Sequence, residues 1–213
     1  MKKRILNERL SAIVASLCHG EREKIMTSEL EKMKRGEWYD ANFNTELIQK
    51  RIIAQDLCFE LNQLKPSCEV ERQKVLKKLT GQNFEGLVLL SPFTCDYGEN
   101  ITFGKNCFVN INCYFMDGAR ITLGDNVFVG PSTGFYTANH PLDYERRNAG
   151  LEKALPIKVG NNVWFGANVN VMPGVTIGDG CVIAAGSVVT KDIPSNSLAA
   201  GIPCQVVREI EQQ

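Results

Sequence analysis

Val159-Gly-Asn-Asn-Val-Trp, Phe165-Gly-Ala-Asn-Val-Asn, Val171-Met-Pro-Gly-Val-Thr, Ile177-Gly-Asp-Gly-Cys-Val and Ile183-Ala-Ala-Gly-Ser-Val follow one another without a gap, each opening on a large apolar residue. A period of six is not a helical period, because 3.6 residues per turn would scatter those positions around the axis. Short strands joined by tight turns keep every large side chain pointing inward. Three such strands make one triangular coil, and stacked coils let each strand pair with the coils above and below it. The stretch therefore predicts a mainly β chain folded as a parallel β-helix, a hexapeptide-repeat solenoid.

Working outward, the same register holds at Phe103, Val109 and Phe115, slips by two residues, and resumes at Leu123, Val129 and Phe135. The pattern spans most of Tyr97 to Pro194. Gly124-Asp125-Asn126, Gly160-Asn161-Asn162 and Gly178-Asp179-Gly180 supply the positive-φ turn positions that corners require. Cys107 and Cys113 lie one period apart and read as small core residues stacked in register.

Upstream the pattern changes. Leu47, Ile48, Ile52, Ile53, Leu57, Leu61 and Leu64 form an apolar stripe at helical spacing. Lys65-Pro66-Ser67 breaks it, and a second helix is expected from Glu69 to Leu79, stopping at Gly81. Met1 to about Gly20 is a further amphipathic stretch, with Ile5, Leu6, Leu10, Ile13, Val14 and Leu17 on one side. The expected organisation is a helical segment over 1–84, divided into an extra helix at 1–24 and a cap at 25–84, then a solenoid domain over 85–213. For the cap, simple packing and a substrate-facing role are equally open.

The chain has 213 residues, with 24 lysines and arginines balanced by 24 aspartates and glutamates, so no acidic polymer such as nucleic acid is expected as a partner. No apolar run reaches the roughly 20 residues that cross a bilayer, and the basic start leads into no apolar signal segment. A cytoplasmic location is expected. Eight cysteines occur without a CxxC pair and read as free thiols. A catalytic thiol would need a histidine, and the chain has only His19 and His140. No metal is expected, because a solenoid zinc site of the carbonic anhydrase kind takes three histidines.

The repeat is interrupted once at length, by Thr137-Ala-Asn-His-Pro-Leu-Asp-Tyr-Glu-Arg-Arg-Asn-Ala-Gly-Leu-Glu-Lys-Ala-Leu-Pro156, which must loop out of the coil. Long insertions at one face of a repeat protein commonly mark a binding site. His140 stands at the root of this loop beside Pro141, whose ring restricts the backbone. An imidazole titrates near pH 6.5 in water, which suits general base work at neutral pH.

Thr137-Ala-Asn-His-Pro, Pro156-Ile-Lys-Val-Gly-Asn-Asn-Val-Trp-Phe-Gly-Ala, Pro173-Gly-Val-Thr-Ile-Gly-Asp-Gly, Val188-Val-Thr-Lys-Asp-Ile-Pro and Ala200-Gly-Ile-Pro-Cys together resemble the maltose and galactoside O-acetyltransferases. The resemblance covers roughly Gly36 to Ile210. It implies a left-handed helix, a homotrimer with active sites between neighbouring subunits, and direct acetyl transfer from acetyl-coenzyme A to a sugar hydroxyl. His140 matches the family's general base. Glu152 matches a glutamate that orients the histidine and favours the imidazolium in maltose-type members. Asp96 and Asn110 match sugar-contacting positions. Asp117 and Asp40 match less closely: the galactoside-type carboxylate aligns with Gly118, and the Trp38-Tyr39-Asp40 motif, with Arg51 nearby, needs a one-residue shift. For the coenzyme, Ala167 and Ala185 match positions that use backbone groups, Ala167 offering its amide to the oxyanion. Thr190, Lys191 and Arg208 match positions at the nucleotide end, where cations meet phosphate, and Gln205 replaces an arginine of the galactoside enzyme. Acetylation of a non-sugar acceptor, of the antibiotic or serine type, would keep the coil and the histidine. A non-catalytic scaffold would show an eroded site.

Overall fold

The structure, a computed structural model, describes residues 27–212. The extra helix expected over 1–24 lies outside them. The hexapeptide segments form short parallel strands stacked on three faces in about six coils. The first face carries β2 (Val88–Leu89), β5 (Phe108–Val109), β8 (Phe128–Val129), β13 (Trp164–Phe165), β16 (Val182–Ile183) and β18 (Ser197–Gly201), and ends on the antiparallel strand β19 (Cys204–Glu209). The second carries β3 (Phe93–Cys95), β6 (Cys113–Met116), β9 (Gly134–Tyr136), β14 (Asn170–Val171) and β17 (Val188–Val189). The third carries β4 (Ile101–Phe103), β7 (Ile121–Leu123), β12 (Ile157–Val159) and β15 (Thr176–Ile177).

Paired residues are 18 apart in the downstream coils (Phe165 with Ile183, Val171 with Val189) and 20 apart upstream (Leu89 with Val109, Phe103 with Leu123). The two additional residues of each upstream coil sit at the corner between the second and third faces. That corner is the physical meaning of the two-residue slip in the sequence register, and it is where the long loop also emerges. At the opposite corner, between the third and first faces, Asn106, Asn126 and Asn162 take φ of 56°, 55° and 58°. Their side chains bond one to the next, and Asp125, Asn161 and Asp179 accept amides from the neighbouring coil. Asparagine is favoured there because it tolerates the left-handed region and satisfies backbone donors.

The core is a column of inward side chains. Phe115 is fully buried, with ring centroids 4.6 Å from Phe135, 5.4 Å from Phe93 and 5.7 Å from Phe103. Cys107 and Cys113 are buried in this stack, and burial raises both thiols above their ordinary range, which suits packing and not nucleophilic work.

Helices α1 (Glu29–Lys34), α2 (Thr45–Gln63) and α3 (Glu69–Thr80) precede the solenoid. Ser28 and Glu31 form a capping box on α1, Asn44 caps α2, and α3 ends at Gly81, whose φ of +73° is the left-handed helix stop. The face of α2 differs from the sequence expectation: Leu47, Ala54, Cys58 and Leu61 are buried, while Ile52 and Ile53 are exposed. Small side chains let the helix lie close on β3. The helical cap closes the open end of the coil, where unpaired strand groups would otherwise face water. Asn62 bonds both the amide and the carbonyl of Phe93, Arg72 bonds the carbonyl of Leu89, and Gln82 that of Ile101, one on each face.

Candidate active site

The loop is ordered by pairing. β10 (Ala138–Asn139) and β11 (Leu151–Ala154) form an antiparallel ribbon, and β1 (Tyr39–Asp40) from the cap adds to its free edge. The short helix α4 (Tyr144–Asn148), capped by Asp143, bridges the two loop strands. The Arg147 guanidinium donates to the carbonyls of Pro141 (3.1 Å) and Leu142 (3.3 Å), and Arg146 stacks over Trp38 at 5.2 Å. The turn carrying His140 is thereby tied down from both sides.

His140 is half-exposed, with Nδ1 3.0 Å from the carbonyl oxygen of Leu151. A carbonyl only accepts, so in the neutral ring Nδ1 carries the proton and Nε2 keeps its lone pair. Oε2 of Glu152 lies 3.9 Å from Nε2. Orientation of the ring thus comes from a backbone carbonyl, whereas the sequence reading assigned it to Glu152. Glu152 stands at the base nitrogen itself, positioned to favour an imidazolium. Burial raises the Glu152 carboxyl, while the Tyr39 hydroxyl, His140 and Arg51 pull it down.

Asp96 lies on the same corner, its Oδ1 accepting the Tyr114 hydroxyl, and burial raises its carboxyl against the pull of Tyr114 and Arg51. Arg51 donates to the Tyr97 hydroxyl (2.7 Å) and the Ala41 carbonyl (2.6 Å). Asp40 spends Oδ1 on the amides of Asn42 and Phe43, fixing the turn after β1. The structure thus gathers His140, Glu152 and Asp96 with Arg51, Tyr39, Tyr97 and Tyr114, while Asp40, next to Tyr39 on β1, leaves the other side of that small sheet. The tyrosines were missed from sequence, because no local spacing links positions 39, 97 and 114.

Asp117 does not face an acceptor. It is fully buried and receives the amides of Asp96 (3.0 Å), Tyr97 (2.8 Å) and Asn100 (3.3 Å), so its carboxylate shapes the enlarged corner and is not available as a sugar contact. Burial outweighs these amides and pushes its carboxyl up to about 7. An unfolded aspartate titrates near 3.9, so between about pH 4 and 7 only the folded chain holds this proton. Stability is expected to fall as pH rises through that window, with up to about 1.4 kcal/mol per pH unit from this residue. Unfolding measured from pH 4.5 to 7.5 checks it: the difference between the native protein and Asp117→Asn changes with pH, and a constant difference would refute the assignment.

The remaining residues occupy other places. Asn110, Ala167 and Ala185 lie on the corner between the first and second faces, where each strand of the first face turns into the second. Ala167 and Ala185 are exposed, stack on successive coils, and their amides have no partner among the described residues. Thr190 and Lys191 lie at the end of the second face, below the loop, and Arg208 lies on β19 opposite Leu198. A single chain therefore separates His140 from the free amides by one face of the coil.

Residues 32–82 match the maltose acetyltransferase hexapeptide capping motif and residues 156–191 match the bacterial transferase hexapeptide of six repeats. A Staphylococcus aureus (strain MRSA252) relative that carries the name "Putative acetyltransferase" is 56% identical over 87% of this chain and 94% of its own length. The crystal structure of a maltose O-acetyltransferase from Clostridium difficile 630 superposes with a TM-score of 0.84 at 43% identity, covering 87% of this chain and 98% of that one. A hexapeptide-repeat acetyltransferase from Vibrio cholerae O1 biovar eltor, complexed with acetyl-coenzyme A, gives 0.79 at 42% identity over 87% of this chain and all of the other. Solenoid, cap and looped-out histidine together define a hexapeptide-repeat acetyltransferase. The chain belongs to the maltose/galactoside O-acetyltransferase family.

Proposed function

We propose that this chain transfers an acetyl group from acetyl-coenzyme A to a sugar hydroxyl, with His140 as general base. The observation that carries the reading is the Nδ1 to Leu151 hydrogen bond, which leaves Nε2 unprotonated, half-exposed and beside a carboxylate. His140 takes the proton from the acceptor hydroxyl as its oxygen attacks the thioester carbonyl, and returns it to the departing thiolate. Glu152 stabilises the intervening imidazolium. Bound acetyl-coenzyme A supplies the acetyl group as an activated thioester. The free amides of Ala167 and Ala185 suit the pantetheine arm, the Ala167 amide also suits the oxyanion, and Thr190, Lys191 and Arg208 suit the phosphates. Asp96, Asn110 and Asp40 are assigned to the sugar hydroxyls.

The separation of His140 from those amides is accounted for by a homotrimer, in which the loop corner of one copy meets the amide corner of the next. The apolar ladder Val88, Phe108, Phe128, Trp164, Val182 and Leu198 runs in register along the outside of the first face, with Val88, Phe128 and Trp164 half-exposed, as a surface that copies bury would be.

Free thiol released from acetyl-coenzyme A is the measurement, across a panel of mono- and disaccharides. Sugar-dependent release supports the reading, and the absence of release above background with every sugar of the panel sinks it. Mixing subunits tests the shared site: trimers reassembled from His140→Ala and Ala185→Asp chains are expected to recover activity that neither parent shows. Failure of every mixture, with both parents folded, would confine the site to one chain.

A further inference from the structure

Tyr39 and Glu152 are directly opposed partners in the pairing of β1 with β11, so their side chains leave the same side of that small sheet. Tyr39 is fully buried, and its hydroxyl donates to Oε1 of Glu152. The other oxygen, Oε2, is the one 3.9 Å from Nε2 of His140. The space for this arrangement is left by Gly118: a Cβ there would stand 3.1 Å from the Tyr39 hydroxyl and 3.2 Å from Oε1. A carboxylate gripped at one oxygen by a donor on a packed strand cannot rotate freely, so its second oxygen keeps its direction. The grip is set by backbone pairing, not by a surface rotamer.

We propose that Tyr39 is a positioning residue for the acetyl transfer, holding Glu152 so that its second oxygen faces the imidazolium formed on His140. This rests on the reading of His140 as the base. Glu152 is faced by Tyr39 from β1, Arg51 from α2, Asp96 and Tyr97 from the segment after β3, and His140 from the loop. Of these, Tyr39 makes the direct hydrogen bond to its carboxylate.

The test is Tyr39→Phe, which keeps the ring and removes the donor, examined alone and in a Glu152→Gln background. Alone, it is expected to lower kcat by about tenfold to a hundredfold, the worth of one hydrogen bond to a charged group, with KM for acetyl-coenzyme A unchanged. The acid limb of kcat/KM should move to lower pH, because a carboxyl without its donor holds its own proton longer and supports the imidazolium less. In the Glu152→Gln background, Tyr39→Phe should change neither. Equal losses in both backgrounds, or an unchanged pH profile, would overturn the proposal while His140→Ala still abolishes transfer. If His140→Ala is fully active, the base assignment falls first and takes this proposal with it. Thermal unfolding of each variant separates these outcomes from misfolding. Gly118→Ala, which crowds the same two oxygens, gives an independent second variant, expected to lower kcat in the same direction and to lose its effect when Glu152 is glutamine.

Discussion

His140→Ala is expected to lower the rate of acetyl transfer to the best sugar acceptor by about 10² to 10⁴, the range that a positioned general base supplies. The side chain is half-exposed, so its removal leaves no cavity and the fold should be unaffected. Affinity for acetyl-coenzyme A should also hold, because the amides assigned to the coenzyme lie at another corner of the coil and the assigned cations on later coils. The loss should therefore appear in kcat, with KM for acetyl-coenzyme A nearly constant. A weakened KM with kcat preserved would assign His140 to binding, and an unchanged rate would remove it from the chemistry. The same comparison at several pH values adds a second readout, since a base that must be neutral gives an acid limb that the alanine variant lacks.

Phe115→Ala is expected to destabilise the fold by about 3–5 kcal/mol, as truncation of a buried phenylalanine does elsewhere. Phe115 touches Phe93, Phe103 and Phe135 and so connects three coils at the level where the cap sits. In a solenoid each coil is supported mainly by its neighbours, so a cavity at this level weakens the loop corner above any other part. The change is read as a lowered denaturant midpoint, and Phe115→Leu should recover part of it because most of the volume returns. A loss below about 1 kcal/mol would mean that the column tolerates repacking and that the register is held chiefly by the corners.

Much of this architecture was legible in the residue pattern, and particular residues show why. Inward positions such as Phe135, Val171 and Ile177 recur at a fixed interval because a strand-and-turn unit of six residues returns to the same face, so local spacing alone reveals the fold. Asn126 and Asn162 marked corners because a positive φ is a local requirement. The stripe on α2 was read wrongly at Ile52 and Ile53, since close packing on β3 selects Ala54 and Cys58 over larger side chains. Asp117 matches a sugar-contacting position only loosely and by resemblance, and three converging amides from the preceding coil hold it inside.

The amino-acid sequence by itself determined the solenoid, the helical cap and the exceptional place of His140, because periodicity, helix stops and a single long interruption are properties of neighbours along the chain. Only the tertiary structure decided which nitrogen of His140 is free, that Glu152 stands at that nitrogen and is held by Tyr39, and that the histidine and the free amides lie on different corners. The first two depend on how the loop folds back into the β10–β11 ribbon, and the hold on Glu152 on a contact between residues 113 positions apart, Tyr39 and Glu152. Such distances in the chain are closed by strand pairing and burial, which leave no periodic mark in the sequence.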